Sequence, residues 1–300
     1  MKKKTYLFAL MTMALTLGSC SDNENGIGGE TSKYITVSTS IGNMTRVATD
    51  AKGGQTFEEG DEISVYVWTG APTVAPETSE RVVNNAINKL TNGAWVATPQ
   101  MLWKNNRDKH YFIGVYPISA ISDLSAGEYI FDANKQTESD LLVAVNPDGL
   151  SYSADAQQTV PLTFTHVMAK LAVNLTYKNQ WGGIPTVEKV VVGNAAKEAT
   201  INYLTKVVTP STTAKEDFSL PEITENTKYV SVIIPQEEVT QLTIVIGGKN
   251  FVYDNGTPFK LESGKITTVN LEVGRDEIKL GDVKITNWED GSTFSGEALN

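Results

Sequence analysis

Leu242-Thr243-Ile244-Val245-Ile246, followed by Gly247-Gly248 and Lys249-Asn250-Phe251-Val252-Tyr253, is the stretch that decides the fold. Leu242, Ile244 and Ile246 fall on one side of an extended chain and Thr243 and Val245 on the other, the period-2 pattern of a strand with one face in a core. Gly248, ahead of Lys249-Asn250, supplies a turn. The same alternation recurs at Ile63, Val65 and Val67 and at Val230, Val232 and Ile234. Between such runs stand turn-formers, Asn146-Pro147-Asp148-Gly149 and Asp254-Asn255-Gly256. Asn255-Gly256 in particular favours positive φ and a tight hairpin between Phe251-Val252-Tyr253 and Pro258-Phe259-Lys260-Leu261.

Helical periodicity is scarce. Glu77 to Leu90 is the best candidate, with Val82, Val83, Ala86 and Leu90 at mixed spacing, and a strand followed by a loop is the alternative. The chain therefore reads as all-β, and many short strands over so long a chain suggest two tandem β-sandwich domains. The expected division is 33–158 and 159–300, because the polar stretch Ser151 to Gln158 precedes a new long apolar run.

Met1-Lys2-Lys3-Lys4, an apolar run to Leu15 and Leu17-Gly18-Ser19-Cys20 give the order of a secretory signal over 1–19. Cys20, the one cysteine of the sequence, stands where a bacterial lipobox places its acylated thiol. Residues 20–32 read as a flexible polar tether. The formal charge of -10 becomes -13 once Lys2, Lys3 and Lys4 leave with the signal, which disfavours nucleic acid as a partner. With no other cysteine, stability has to come from the cores rather than from disulfides.

Chemistry-bearing patterns are few. His110 and His166, the two histidines, lie in apolar runs and read as packed, hydrogen-bonded strand residues. Glu58-Glu59-Gly60-Asp61-Glu62 lacks the alternating oxygen spacing of a calcium loop and reads as a solvated turn opening a strand at Ile63. Trp68, Trp95, Trp103, Trp181 and Trp288 would stack on sugars only if exposed together, and aromatic residues on strands are more often core. Neither a metal, a cofactor nor a catalytic set is expected.

Taken together, the lipobox ending at Cys20, Ile35 to Ile41 followed by Thr45-Arg46, Phe57 to Tyr66, Phe112 to Pro117, Phe164 to Val173 and Ile285 to Gly291 resemble the fimbrillin family, the Mfa-like lipoprotein subunits of type V pili. The resemblance implies two transthyretin-like β-sandwiches, export as a lipoprotein to the outer membrane of a Gram-negative bacterium, and assembly into a fimbrium by strand exchange after proteolysis. Its expected parts are a removable strand carrying Ile35, Val37, Thr39 and Ile41, a cut after Arg46, and a donor strand in 281–300 with Val283, Ile285 and Trp288. The implied partners are other fimbrial subunits, the outer membrane through the lipid, and host or bacterial surface ligands. A non-polymerising surface lipoprotein that binds glycans is the alternative from a different class, and an extracellular hydrolase a third.

Overall fold

The computed structural model describes residues 33–42, 56–153 and 158–288, nearly all of them in strands or the turns between strands. The first half forms a seven-stranded sheet. Its strands are β1 (Thr36–Ile41), β2 (Glu62–Thr69), β3 (Val83–Thr91), β4 (Ala94–Thr98), β5 (His110–Tyr116), β7 (Leu142–Leu150) and β8 (Thr159–His166), and β6 (Gly127–Ile130) lies outside it. The order across the sheet is β1-β8-β7-β5-β2-β3-β4.

The central strands are buried on both faces, which is why β2 reads as nearly continuous apolar sequence. Ile63, Val65 and Val67 enter a smaller core with Ile35, Val37, Phe112 and Phe164. Tyr66 and Trp68 enter a larger core that continues into the second half. The sheet is thus a wall between two cores.

The second half contributes β9 (Ala169–Tyr177), β10 (Val187–Ala196), β11 (Glu198–Asn202), β12 (Val207–Pro210), β13 (Lys215–Ser219), β14 (Glu222–Thr224), β15 (Lys228–Ile233), β16 (Gln236–Ile246), β17 (Lys249–Leu261), β18 (Lys265–Val273) and β19 (Ile278–Asn287). They form a five-stranded sheet, β14-β15-β9-β18-β19, and a four-stranded sheet, β13-β10-β16-β17. Leu171, Val173, Val269 and Leu271 from the first and Val190, Val192, Leu242 and Ile244 from the second share the larger core. A third sheet, β12-β11-β6, ties the halves together, because β6 from the first half pairs antiparallel with β11 from the second.

Several expectations meet a different outcome. The turn read at Gly248 forms, as a hairpin with φ of 59° and 72° at Gly247 and Gly248 and Ile246 paired with Lys249. Asp254-Asn255-Gly256, however, is no hairpin. β17 runs through it and stays paired with β16 on both sides, the extra residues being absorbed where the register shifts between Gln241↔Asp254 and Val239↔Phe259. Likewise Asn146-Pro147-Asp148-Gly149 is a bulge within β7, opposite His110 to Phe112, closed by Gly149 N donating to Asn146 Oδ1 at 3.0 Å. Glu77 to Leu90 resolves into a 3-10 turn at Thr78–Glu80 and the strand β3. The segment expected to open the second domain, at 159, is β8, which completes the first sheet, and the chain passes to the second half at Val167-Met168.

Candidate functional site

Cys20 and Arg46 lie outside the described residues, as do 20–32 and 289–300. The expected removable strand is β1. It pairs in parallel with β8 from Thr36↔Thr159 to Ile41↔Phe164, so Ile35 and Val37 point inward and are 1% and 5% exposed. Burial of two such side chains stabilises the docked strand by about 1.5–3 kcal/mol each. Thr39 and Ile41 are half-buried towards the open end.

The strand's N-terminal end also touches the far edge of the sheet. Tyr34 bridges Leu102, Ile35 N donates to Met101 O at 3.0 Å, and Trp103 N donates to Lys33 O at 3.2 Å. Trp95 of β4 reaches back, its Nε1 donating to Thr39 Oγ1 at 3.0 Å. The sheet therefore curls until its two edge strands nearly meet. Between them a groove of about 850 Å³ remains, lined by β1, Phe57, Leu90 and Gly93 to Trp95. Phe57 closes one end, with edge-on contacts to Trp95, Tyr116 and Phe164 at 5.3, 5.3 and 5.1 Å.

β8 depends on β1 more than its place in the sheet order suggests. β7 pairs with β8 only from Leu142↔His166 to Ala144↔Phe164, so among the described residues Thr159 to Thr163 have β1 as their sole ladder partner. Pro161 is tolerated for the same reason. Gly42 N donates to Phe164 O, and the alternation this fixes turns the missing N–H of Pro161 to the side that β7 has left.

The expected donor strand is β19, which in this molecule is docked as the outer strand of the five-stranded sheet. Val283 faces Val269 and Ile285 faces Thr267, so both lie on the sheet's inner face, yet they are 38% and 39% exposed. A bulge at Gly281 lets Leu280 share that face, opposite Leu271. From Ile278 to Trp288, Trp288 is the one buried residue, at 7% exposed. Its indole lies flat on the His166 imidazole, with centroids 4.1 Å apart and planes 9° from parallel, and Lys170 Nζ is 4.3 Å from the ring.

Both histidines are packed as read. His166 Nδ1 is 2.8 Å from Asp140 Oδ1. His110 Nε2 accepts from Lys104 N at 3.0 Å, which places the ring proton on Nδ1, donating to Asp108 O at 3.1 Å. Burial pulls His110 below the ordinary imidazole range, against a weaker upward pull from the Asp108 carbonyl. Burial likewise lowers Lys170, with Asp140 opposing.

The acidic run at Glu58 to Glu62 is consumed locally. Glu58 N donates to Asp61 Oδ2 at 2.7 Å, Asn92 N to Glu59 Oε1 at 2.8 Å, and Glu62 pairs with Lys89 at 2.9 Å. Among the described residues no group of three or more His, Cys, Asp or Glu could hold a metal. Trp68, Trp103 and Trp288 are buried and Trp95 and Trp181 half-buried, so the tryptophans form no exposed platform.

Sequence reasoning missed Gln136. Its Oε1 accepts from Val232 N at 2.6 Å, capping the edge of β15 beyond the end of β14 with a side chain from the first half. Nothing in its polar surroundings marks it, since the bond depends on a partner 96 positions away.

A family model for fimbrillin-like proteins matches residues 45–288. The chain belongs to the fimbrillin-like family. Among solved structures, a candidate cell adhesion protein of Bacteroides uniformis is similar at 17% identity and a TM-score of 0.64, covering 85% of this fimbrillin-like chain and 99% of its own. One of Bacteroides ovatus gives 17%, 0.65, 85% and 98%. A fimbrial protein of Bacteroides vulgatus gives 11%, 0.50, 84% and 99%. At these identities the likeness is one of fold. No curated protein matches the chain.

Proposed function

We infer that this fimbrillin-like protein is a structural and adhesive subunit of a bacterial surface fimbria, without enzymatic activity. It is exported as an outer-membrane lipoprotein through Cys20 and joined to its neighbours by strand exchange after a cut at Arg46. Family membership supports the fimbrial role. The observation that carries the exchange step is the docking of β1: a parallel edge strand, tied to its sheet by backbone bonds and two inward side chains, with no hairpin joining it to β8. A parallel neighbour is reached only by a long connection, so a strand from another molecule can take the place of β1 without rebuilding a turn. β19 is suited to supply it, since Val283 and Ile285 face inward but are far from fully used. Head-to-tail pairing of this kind does not close and yields a fibre.

The test is digestion with an arginine-specific protease, read by intact mass and size exclusion, with Arg46→Ala as control. The sequence has four arginines, of which Arg81 is buried and Arg107 and Arg275 exposed, so the mass has to assign the cut. A cut at Arg46 followed by higher oligomers is expected. A chain clipped at Arg46 that stays monomeric in the presence of other subunits would overturn the exchange step.

A further inference from the structure

Between Ile278 and Asn287 the C-terminal strand has half-buried or exposed side chains throughout, held to β18 by the backbone ladder. At its end everything changes. Trp288 is buried where the chain crosses from the first half to the second, its N donating to Gly264 O at 3.2 Å while Gly264 N donates to Met168 O at 2.8 Å. The indole rests on His166 of β8 and is approached by Lys170 of β9, so one side chain joins β19 to both halves.

The contact also has a flaw. Trp288 Nε1 is buried without a hydrogen-bond partner among the described residues. A buried donor left unsatisfied weakens the docked position relative to one in which it is paired or hydrated. Trp288 is therefore the one buried side chain on a strand otherwise kept by its ladder to β18, by Asn270 Nδ2 donating to Asp282 Oδ1 at 2.6 Å and by the partly buried Ile278 and Leu280, and its own donor is left unpaired.

We propose that Trp288 is a latch: its stack on His166 keeps β19 docked on its own molecule, and release of this one side chain frees the strand for pairing with another subunit. The use of the freed strand rests on the strand-exchange reading, whereas the latch itself does not. Once Trp288 leaves His166, β19 keeps its edge ladder, the Asn270–Asp282 bond and the partly buried Ile278 and Leu280 near its start, while Val283 and Ile285 stay incompletely covered, and the end of such a strand opens as a local unit. Trp288 acts as a positioning residue, setting how often Val283 and Ile285 become available.

Hydrogen exchange on the uncut full-length chain tests it. In Trp288→Ala, amides in the β18–β19 ladder should exchange roughly a hundredfold or more faster, the scale expected from truncating a buried aromatic, while the β9–β15 ladder keeps its wild-type rates. Trp288→Phe, which retains a ring over His166, should restore most of the protection. Unchanged rates in β19, or equal acceleration in both ladders, would overturn the latch. If β19 loosens as expected but Arg46-cleaved Trp288→Ala forms no oligomers with wild-type subunits, the latch stands and strand exchange falls.

Discussion

His110 and Gly114 show how much of this molecule rests on single positions in one strand. The His110 ring is buried and neutral, with each nitrogen engaged, and burial holds its folded pKa below the ordinary 6.5. The unfolded chain thus binds the proton first on acidification. The stability this contributes is complete above pH 6.5 and lost as pH falls from there through the lowered folded value. Urea unfolding between pH 7 and 5 should show that decline, and His110→Gln should flatten it. Gly114 leaves room for β8: a Cβ there would stand 2.6 Å from Phe164 Cζ and 3.2 Å from Leu162 Cδ1. Gly114→Ala should cost about 1–3 kcal/mol in urea unfolding, because the ring it meets is locked in the smaller core.

Among the elements, the Gly247-Gly248 hairpin makes the sharpest prediction. Both residues have positive φ. Gly248→Val should lower stability by about 1–2 kcal/mol in the same assay, the cost of forcing a branched side chain into left-handed backbone. Ile35→Ala should cost about 2–5 kcal/mol and shorten the residence of the β1 peptide after cleavage at Arg46, measured by its loss on size exclusion. Strands are legible in the sequence because alternation follows directly from which face is buried, as at Ile35, Val37 and at Leu242, Ile244. Asn146 to Gly149 and Asp254 to Gly256 misled because the residue types that close turns are also those that close bulges. Whether the chain reverses there depends on the partner strand, which local sequence does not encode. The acidic turn before Ile63 was readable from its own residues, whereas Gln136 on Val232 and Trp288 on His166 join segments far apart in sequence.

For the whole molecule, the continuity of the larger core outweighs the division suggested by chain length. Tyr66, Trp68, Ile113 and Val143 from the first half share one cluster with Leu171, Val190 and Ile244 from the second, and β6 pairs with β11 across the seam. Calorimetry should therefore show one cooperative transition, with calorimetric and van't Hoff enthalpies in agreement, rather than two. Two separated transitions would mean that the shared cluster does not couple the halves.

The dependence of Thr159 to Thr163 on β1, their sole ladder partner among the described residues, bears on timing. A chain that has lost β1 and gained nothing has a frayed β8 beside an uncovered core, a species prone to proteolysis and clumping. If β1 is exchanged as proposed, an incoming strand that advances along β8 as the old one retreats avoids that species. On that reading the vulnerable moment of assembly is the half-exchanged state, and its lifetime falls as incoming strands become more plentiful.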